Sequence, residues 1–182
     1  MNETEVIQTT RQWLERAVIG LNLCPFAKAA YGKQRVRFTV SAATNDEALL
    51  DDLILALQDL HAADPSQCET TLLIHPAALT DFLDYNDFLD AADAALDALG
   101  LTGVIQVASF HPQYQFAGTE PEDIENCTNR SPYPLLHLLR EDSIEKAVQT
   151  YPDVDDIPQR NIETLQRLGP AGWARCLATD KT

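Results

Sequence analysis

The sequence has no basic residue through its whole middle. None of its 13 lysines and arginines lies between Phe38 and Asn129, whereas aspartate and glutamate recur there, and the formal net charge is −15. Nucleic acids and anionic membrane surfaces are bound through basic patches. The charge therefore argues against both as partners. If the two flanking segments meet in space, they would form a less negative region on an acidic body.

Long apolar runs are also missing. No stretch approaches the roughly 20 apolar residues that span a bilayer. The segment 1–16 is charged and has helical spacing, without the basic start and apolar run of a signal peptide. We expect a cytoplasmic protein with no membrane partner.

Closely spaced cysteines and the common catalytic motifs are absent as well. Cys24, Cys68, Cys127 and Cys176 lie far apart, which favours free thiols over disulfides or a closed zinc site. The sequence contains no glycine-rich phosphate loop, no GxSxG and no HExxH. The cofactor therefore stays unknown, and the oligomeric state cannot be read from the sequence.

The residues that are present predict a small α/β fold. Apolar residues make up 45% of the 182, enough for the core of one domain over 1–182. Helical spacing predicts helices over about 4–21, 79–99 and 156–168, and a short helix over 25–31. Two more are predicted from capping residues: one that starts at Thr44, with Glu47 three positions on, and reaches about 63, and one from Asp142 to about 151.

Strands are predicted at 35–42, 70–75 and 103–110, whereas 134–140 fits a strand or a helical turn equally well. The order predicts a three- to four-stranded sheet with a βαβαβ core covered by helices. A ferredoxin-like split arrangement is the alternative, since a further strand could lie in the later segments. Residues 111–133 have no period, but their aromatic residues indicate an ordered segment.

Four blocks carry a family resemblance: LNLCPFA (21–27), ETTLLIHP (69–76), QVASFHPQYQFAGT (106–119) and NCTNRSPYPLLHLLRE (126–141). Together they resemble the bacterial "domain of unknown function 1415" family over nearly the whole chain. The resemblance implies a stand-alone bacterial protein of about this size. It implies no activity, cofactor or catalytic residue.

Two His-Pro steps each follow a predicted strand directly. If those strands run parallel, His75 and His111 lie at the same carboxyl edge of the sheet, where open α/β sheets bind ligands. Either imidazole could instead simply hydrogen-bond a neighbouring loop. With His137 and Glu69 or Glu141, they would also supply the ligands of an open catalytic metal site, although scattered ligands do not establish one.

A dense polar set begins within the aperiodic segment and continues to Glu141; it could hold an anion, because arginine presents a planar fork to phosphate or carboxylate. The alternative is a segment held to the body by its own hydrogen bonds. The candidate ligand-binding residues are Tyr114, Asn126, Thr128, Asn129, Arg130 and Arg140, together with His75; Ser131 and Glu141 lie among them.

Cys24 precedes Pro25, so its thiol would lie at a helix amino terminus, where the dipole lowers the pKa. Paired with His111 or His137, it would be a candidate nucleophile, although a buried apolar thiol is the commoner role. We therefore expect a small-molecule enzyme that acts on an anionic metabolite, with His111, His137 and Cys24 as catalytic residues. The alternative is a non-catalytic ligand-binding or partner-binding module.

Overall fold

The computed structural model describes residues 2–151 and 153–178. Its helices are α1 (Glu3–Trp13), α2 (Ala27–Gly32), α3 (Asp46–Ala62), α4 (Phe82–Ala98), α5 (Glu141–Thr150) and α6 (Ile157–Leu177). A π-helical segment, Leu14–Ile19, continues α1, and 3-10 helices span Ile124–Asn129 and Val154–Asp156. The predicted first helix is thus present, but its last part is wound more widely than an α-helix.

The protein has an α/β fold built on a four-stranded mixed sheet. The strands β1 (Val36–Val40), β2 (Thr70–Ile74), β3 (Ile105–Phe110) and β4 (Leu135–Arg140) lie in the order β1-β2-β4-β3. β1 and β2 pair in parallel, and β4 pairs antiparallel with both β2 and β3. β2 and β3 therefore run in the same direction with β4 inserted between them, and the undecided stretch 134–140 forms a strand from Leu135 to Arg140.

The helices cover the two faces of this sheet unequally. On one face α3 and α4 pack a continuous core against inward side chains such as Leu73, Leu136 and Leu138. On the other face α1, the π-helical segment and α6 pack against Leu72, Ile74 and Leu135. The two ends of the chain thus meet on one face, and the acidic middle supplies both helices of the other.

Two predicted helix starts are corrected by the structure. α3 is capped by Asn45, not Thr44, because the extended Asn45 accepts a hydrogen bond from the amide of Ala48 at 2.9 Å. Asp142 lies inside α5 and is not its cap, because that helix begins at Glu141 directly after β4, without a side-chain cap.

The predicted end of the last helix at Gly169 is a kink. Gly169 has a φ of 67° inside α6, which a residue without a side chain adopts easily, and Pro170 suits the first turn of the helix that follows. Trp173 beyond the kink is buried in the core on the α1 side of the sheet, so this part of the chain packs on the body. Among the residues that the structure describes, no helix is long and apolar enough to cross a membrane.

Candidate functional site

His75 and His111 lie at the same edge of the sheet, as the parallel direction of β2 and β3 predicts. Both side chains are 0% exposed. Both rings pack against Tyr85, with centroids 5.8 and 5.1 Å from the centre of the tyrosine ring. The hydroxyl of Tyr85 donates to the carbonyl of Leu135 and accepts the amide of Phe110, so the group ties β3 and β4 to α4.

The hydrogen bonds of the two imidazoles are local. The Nε2 of His111 donates to the carbonyl of Leu79 at 3.2 Å, and its Nδ1 accepts the amide of Gln113 at 3.0 Å. The Nδ1 of His75 donates to the carbonyl of Ala78 at 2.9 Å, while its buried Nε2 has no partner. Burial lowers the pKa of both, that of His75 to about 4. At neutral pH both rings are uncharged parts of the sheet edge.

His137 lies elsewhere, in the middle of β4. It pairs with Leu72 and Ala108 on the neighbouring strands and faces the side of the sheet that α1 covers. The three histidines therefore do not converge. Within residues 2–151 and 153–178, no group of three or more His, Cys, Asp or Glu side chains could hold a metal ion.

The tautomer of His137 follows from its partner Thr70. The Thr70 hydroxyl donates its only proton to the carbonyl of Leu138 at 2.6 Å, so at 2.7 Å from His137 it acts as the acceptor for Nε2–H. The Nδ1 of His137 is then an unprotonated acceptor. Burial lowers the pKa of His137 to about 4, so the ring is neutral near pH 7.

The guanidiniums of Arg130 and Arg140 are bound to backbone carbonyls. Arg140 donates through Nε to Cys68 and through Nη2 to Leu60 and Ala63, at and just beyond the carboxyl end of α3. A cation is favoured there because the last carbonyls of a helix lack partners.

Arg130 donates through Nε to Tyr114 at 3.2 Å and through Nη2 to Pro121, and so holds the segment before β4. These contacts fit the alternative in which the polar residues hold the segment to the body of the protein by hydrogen bonds.

Most other predicted ligand-binding side chains also make contacts within this segment or between it and its neighbours. The Oδ1 of buried Asn126 accepts from the amide of Phe116 and the hydroxyl of Thr119, and its Nδ2 donates to Glu120. The remaining residues share a position within or beside the segment. The Nδ2 of Asn129 donates to Ser109, the hydroxyl of Ser131 donates to Tyr133, Thr128 is half-buried, and the ring of Tyr114 packs against Phe82 and Phe116.

A cavity of about 540 Å³ lies against the sheet face that carries His137, and we call it the sheet-face cavity. Side chains from all four strands form its floor, and the π-helical segment, the turn into α2, and α5 form its walls. The lining is largely apolar and includes Trp13, Leu72, Ala108, Phe110 and Ile144. His137 is a polar group near the middle of this floor.

Sequence reasoning missed this cavity. Two signals pointed to it: the small Ala108 between Gln106 and Phe110 on one face of β3, and the apolar side of α5. No residue of α5 is buried, yet Ile144 and Ala147 line the cavity.

Cys24 lines the same cavity, at the turn before α2. The backbone amides of Phe26 and Ala27 lower its pKa, as expected for a thiol before a helix, but burial outweighs them and the net pKa is raised. The thiol is therefore the resting form near pH 7. Of the three residues that the sequence nominated as catalytic, the structure brings Cys24 and His137 to one cavity and leaves His111 at the sheet edge.

Fold and site define an α/β protein with a mixed four-stranded sheet and a ligand-sized cavity on one face. Residues 5–175 match the model of the family described as "Protein of unknown function (DUF1415)", so the chain belongs to that family, as the four sequence blocks indicated. No curated protein and no solved structure matches the chain significantly.

Proposed function

We propose that this protein binds a small, largely apolar molecule in the sheet-face cavity and fixes it with a hydrogen bond to the Nδ1 of His137. The observation that carries the proposal is a neutral imidazole acceptor in the apolar floor of a large cavity. Because this atom can only accept, the complementary ligand carries a hydroxyl or an N–H group.

The size and lining of the cavity support a small molecule. Ligand pockets are commonly about 300–1,000 Å³, mostly apolar, with a few placed polar groups, and the sheet-face cavity has about 540 Å³. Burial of a ligand there would contribute through the hydrophobic effect, while His137 would set its orientation. The acidic composition supports neither nucleic acid nor a membrane surface as the partner. The four free cysteines support a reducing, cytoplasmic location.

Catalysis in this cavity is the second candidate. The observation favouring it is that His137, as a neutral base, and the Cys24 thiol line one cavity. The anion-binding part of the sequence hypothesis loses support, because Arg130 and Arg140 are bound to backbone carbonyls. We therefore propose ligand binding as the function, with catalysis on the bound ligand as the second candidate.

Fluorescence of N-phenyl-1-naphthylamine tests the proposal. This dye is neutral, carries one N–H group, and brightens in apolar surroundings. We expect saturable binding by the native protein and a loss of about five- to tenfold in affinity in His137→Phe, because one hydrogen bond is worth about 1 kcal/mol. Ala108→Leu, which fills the floor of the cavity beside His137, should weaken binding further.

Ala94→Leu is the matched control, because Ala94 lies on the exposed side of α4 against solvent. It should leave dye binding unchanged. If Ala108→Leu and Ala94→Leu bind the dye as tightly as the native protein, the ligand does not enter the sheet-face cavity and the proposal is wrong.

A further inference from the structure

The charge of this chain is divided unequally along its length. From Phe38 to Asn129 there are 17 acidic residues and no basic one, whereas the rest of the chain holds 13 basic and 11 acidic residues. The middle supplies α3 and α4, and the ends supply α1, α2, α5 and α6. The sheet-face cavity is walled by these end segments. Among the described residues that line it, Glu69 is the only acidic one and Arg140 the only lysine or arginine, whereas α3 and α4, which carry ten of the 17 acidic residues, lie on the opposite face.

A second, smaller pocket of about 170 Å³ adjoins the cavity. Pro25 and Tyr151 line both spaces. One side of α6 forms its wall with residues spaced by three and four positions. They are Arg160, Asn161, Glu163, Thr164 and Arg167.

Two arginines of this pocket have donors to offer an anion. Arg160 donates to the hydroxyl of Tyr151 at 3.2 Å and to the carbonyl of Asp153 at 3.4 Å, with its guanidinium 5.4 Å from the Tyr151 ring centre. Arg167 donates to the hydroxyl of Thr164 at 3.3 Å. These are long bonds by exposed side chains. An incoming carboxylate or phosphate would accept stronger, charge-assisted bonds from the same groups.

One carboxylate, Glu163, lies between the two arginines on this side of α6 and accepts a hydrogen bond from Gln159 at 3.2 Å. The lining of the small pocket therefore carries two positive charges and one negative charge among its described residues. Its net charge is opposite in sign to that of the whole molecule.

We propose that the ligand is an anionic amphiphile whose carboxylate or phosphate head is held by Arg160 and Arg167. Its apolar body passes Pro25 and Tyr151 into the sheet-face cavity. This inference rests on the proposed function and adds the chemical class of the ligand. The Tyr151 ring contacts the Phe26 ring edge-on, with ring centres 5.6 Å apart. It lies where the anionic head of the ligand would join its apolar body.

A matched pair of dyes tests the head group. 1-Anilinonaphthalene-5-sulfonate is N-phenyl-1-naphthylamine with one sulfonate added on the ring away from the N–H group, so the two differ in the anionic group and share the apolar body and its N–H. We expect the native protein to bind the sulfonate dye more tightly than the neutral dye. The double variant Arg160→Gln, Arg167→Gln should lose about tenfold in affinity for the sulfonate dye and keep its affinity for the neutral one.

Two further variants act as controls. Arg175→Gln removes an exposed arginine on the same helix that does not line the pocket, and both affinities should stay unchanged. Glu163→Gln removes the only carboxylate among the described lining residues of the small pocket, and affinity for the sulfonate dye should rise.

Each outcome decides the inference. A loss confined to the sulfonate dye supports it, whereas no loss, or an equal loss for both dyes, overturns it and leaves the cavity proposal intact. If the neutral dye does not bind the native protein at all, the proposed function fails, and the inference fails with it. 8-Hydroxyoctanoate and 1,8-octanediol share a hydroxyl-ended chain and differ at the other end, which is a carboxylate in the first. We expect 8-hydroxyoctanoate to displace the bound dye at a lower concentration than 1,8-octanediol.

Discussion

His75, which is buried, and His137, which is partly buried in the cavity floor, are neutral groups near pH 7, and both contribute to the response of the protein to acid. Burial lowers the pKa of His75 and of His137 to about 4, from an ordinary value near 6.5. Protons therefore bind the unfolded chain more tightly than the folded one. The stability that these neutral rings contribute is complete above pH 6.5 and is lost as the pH falls toward 4.

Replacing His75 by asparagine should make the protein less sensitive to acid. The side-chain amide introduced there can still donate to the carbonyl of Ala78 but does not titrate. Between pH 6.5 and 4.5 we expect the free energy of unfolding of His75→Asn to fall by about 2 kcal/mol less than that of the native protein. Urea unfolding curves at several pH values measure this difference.

His61→Asn is the control, since His61 is exposed on α3. It should leave the acid dependence unchanged. If the stability of the native protein and of His75→Asn fell in parallel with pH, the buried ring of His75 would not be a source of acid sensitivity.

The sequence located some of these residues and could not locate others. The edge position of His75 and His111 followed from strands that end in His-Pro steps. The face of His137 could not be assigned, because 134–140 was undecided between strand and turn, and a side chain changes face at every strand residue. The partners of Arg140 were also inaccessible, because they are backbone carbonyls 72 to 80 residues away.

At the scale of elements, α5 differs from every other long helix of the described chain. Each of α1, α3, α4 and α6 has buried residues, whereas α5 has none. Its apolar side faces the sheet-face cavity, where Ile144 and Ala147 meet empty space and not a packed core. Few buried contacts imply a low free energy of local opening.

Hydrogen exchange should therefore be faster in α5 than in α3, whose Leu49, Leu53 and Leu57 are fully buried. N-phenyl-1-naphthylamine bound in the cavity would pack against α5 and slow its exchange. If binding requires a closed α5, the slowing should approach about 100-fold at dye concentrations about 100 times the dissociation constant. Mass spectrometry of peptides covering residues 141–150 and 46–62 measures both effects.

The α3 peptide is the internal reference, because that helix lies on the opposite face of the sheet. Two results would contradict the prediction: equal protection of both helices without dye, or dye saturation that leaves the α5 peptide unchanged.

The elements themselves were largely predictable, and their pairing was not. Periodicity placed β1, β2 and β3 and the helices between them, because each is amphipathic or continuously apolar over its length. The insertion of β4 between β2 and β3 depends on hydrogen bonds between distant segments, on which local pattern is silent. The π-helical segment is equally invisible, since its sequence keeps the apolar spacing of an ordinary helix.

On the scale of the whole molecule, the acidic middle repels itself. α4 carries exposed aspartates at intervals of three and four, and no lysine or arginine lies between Phe38 and Asn129 to offset them. Like charges at these spacings on a helix are destabilising, and salt screens them. The acidic surface of the middle of the chain therefore lowers the stability of the fold.

Reversing one of these charges should stabilise the protein in a way that salt removes. Asp93 lies three residues after Asp90 and four before Asp97, all exposed on α4. Asp93→Lys turns two repulsive pairs into attractive ones, so the free energy of unfolding should rise by about 1 kcal/mol at low salt. Asp93→Asn, which only removes the charge, should give about half of that gain.

In 0.5 M sodium chloride, where the screening length is only about 4 Å, most of both gains should vanish, leaving the small difference in helix propensity. A gain in Asp93→Lys that is the same at both salt concentrations would show that propensity, and not repulsion within the acidic middle, limits the stability of this helix.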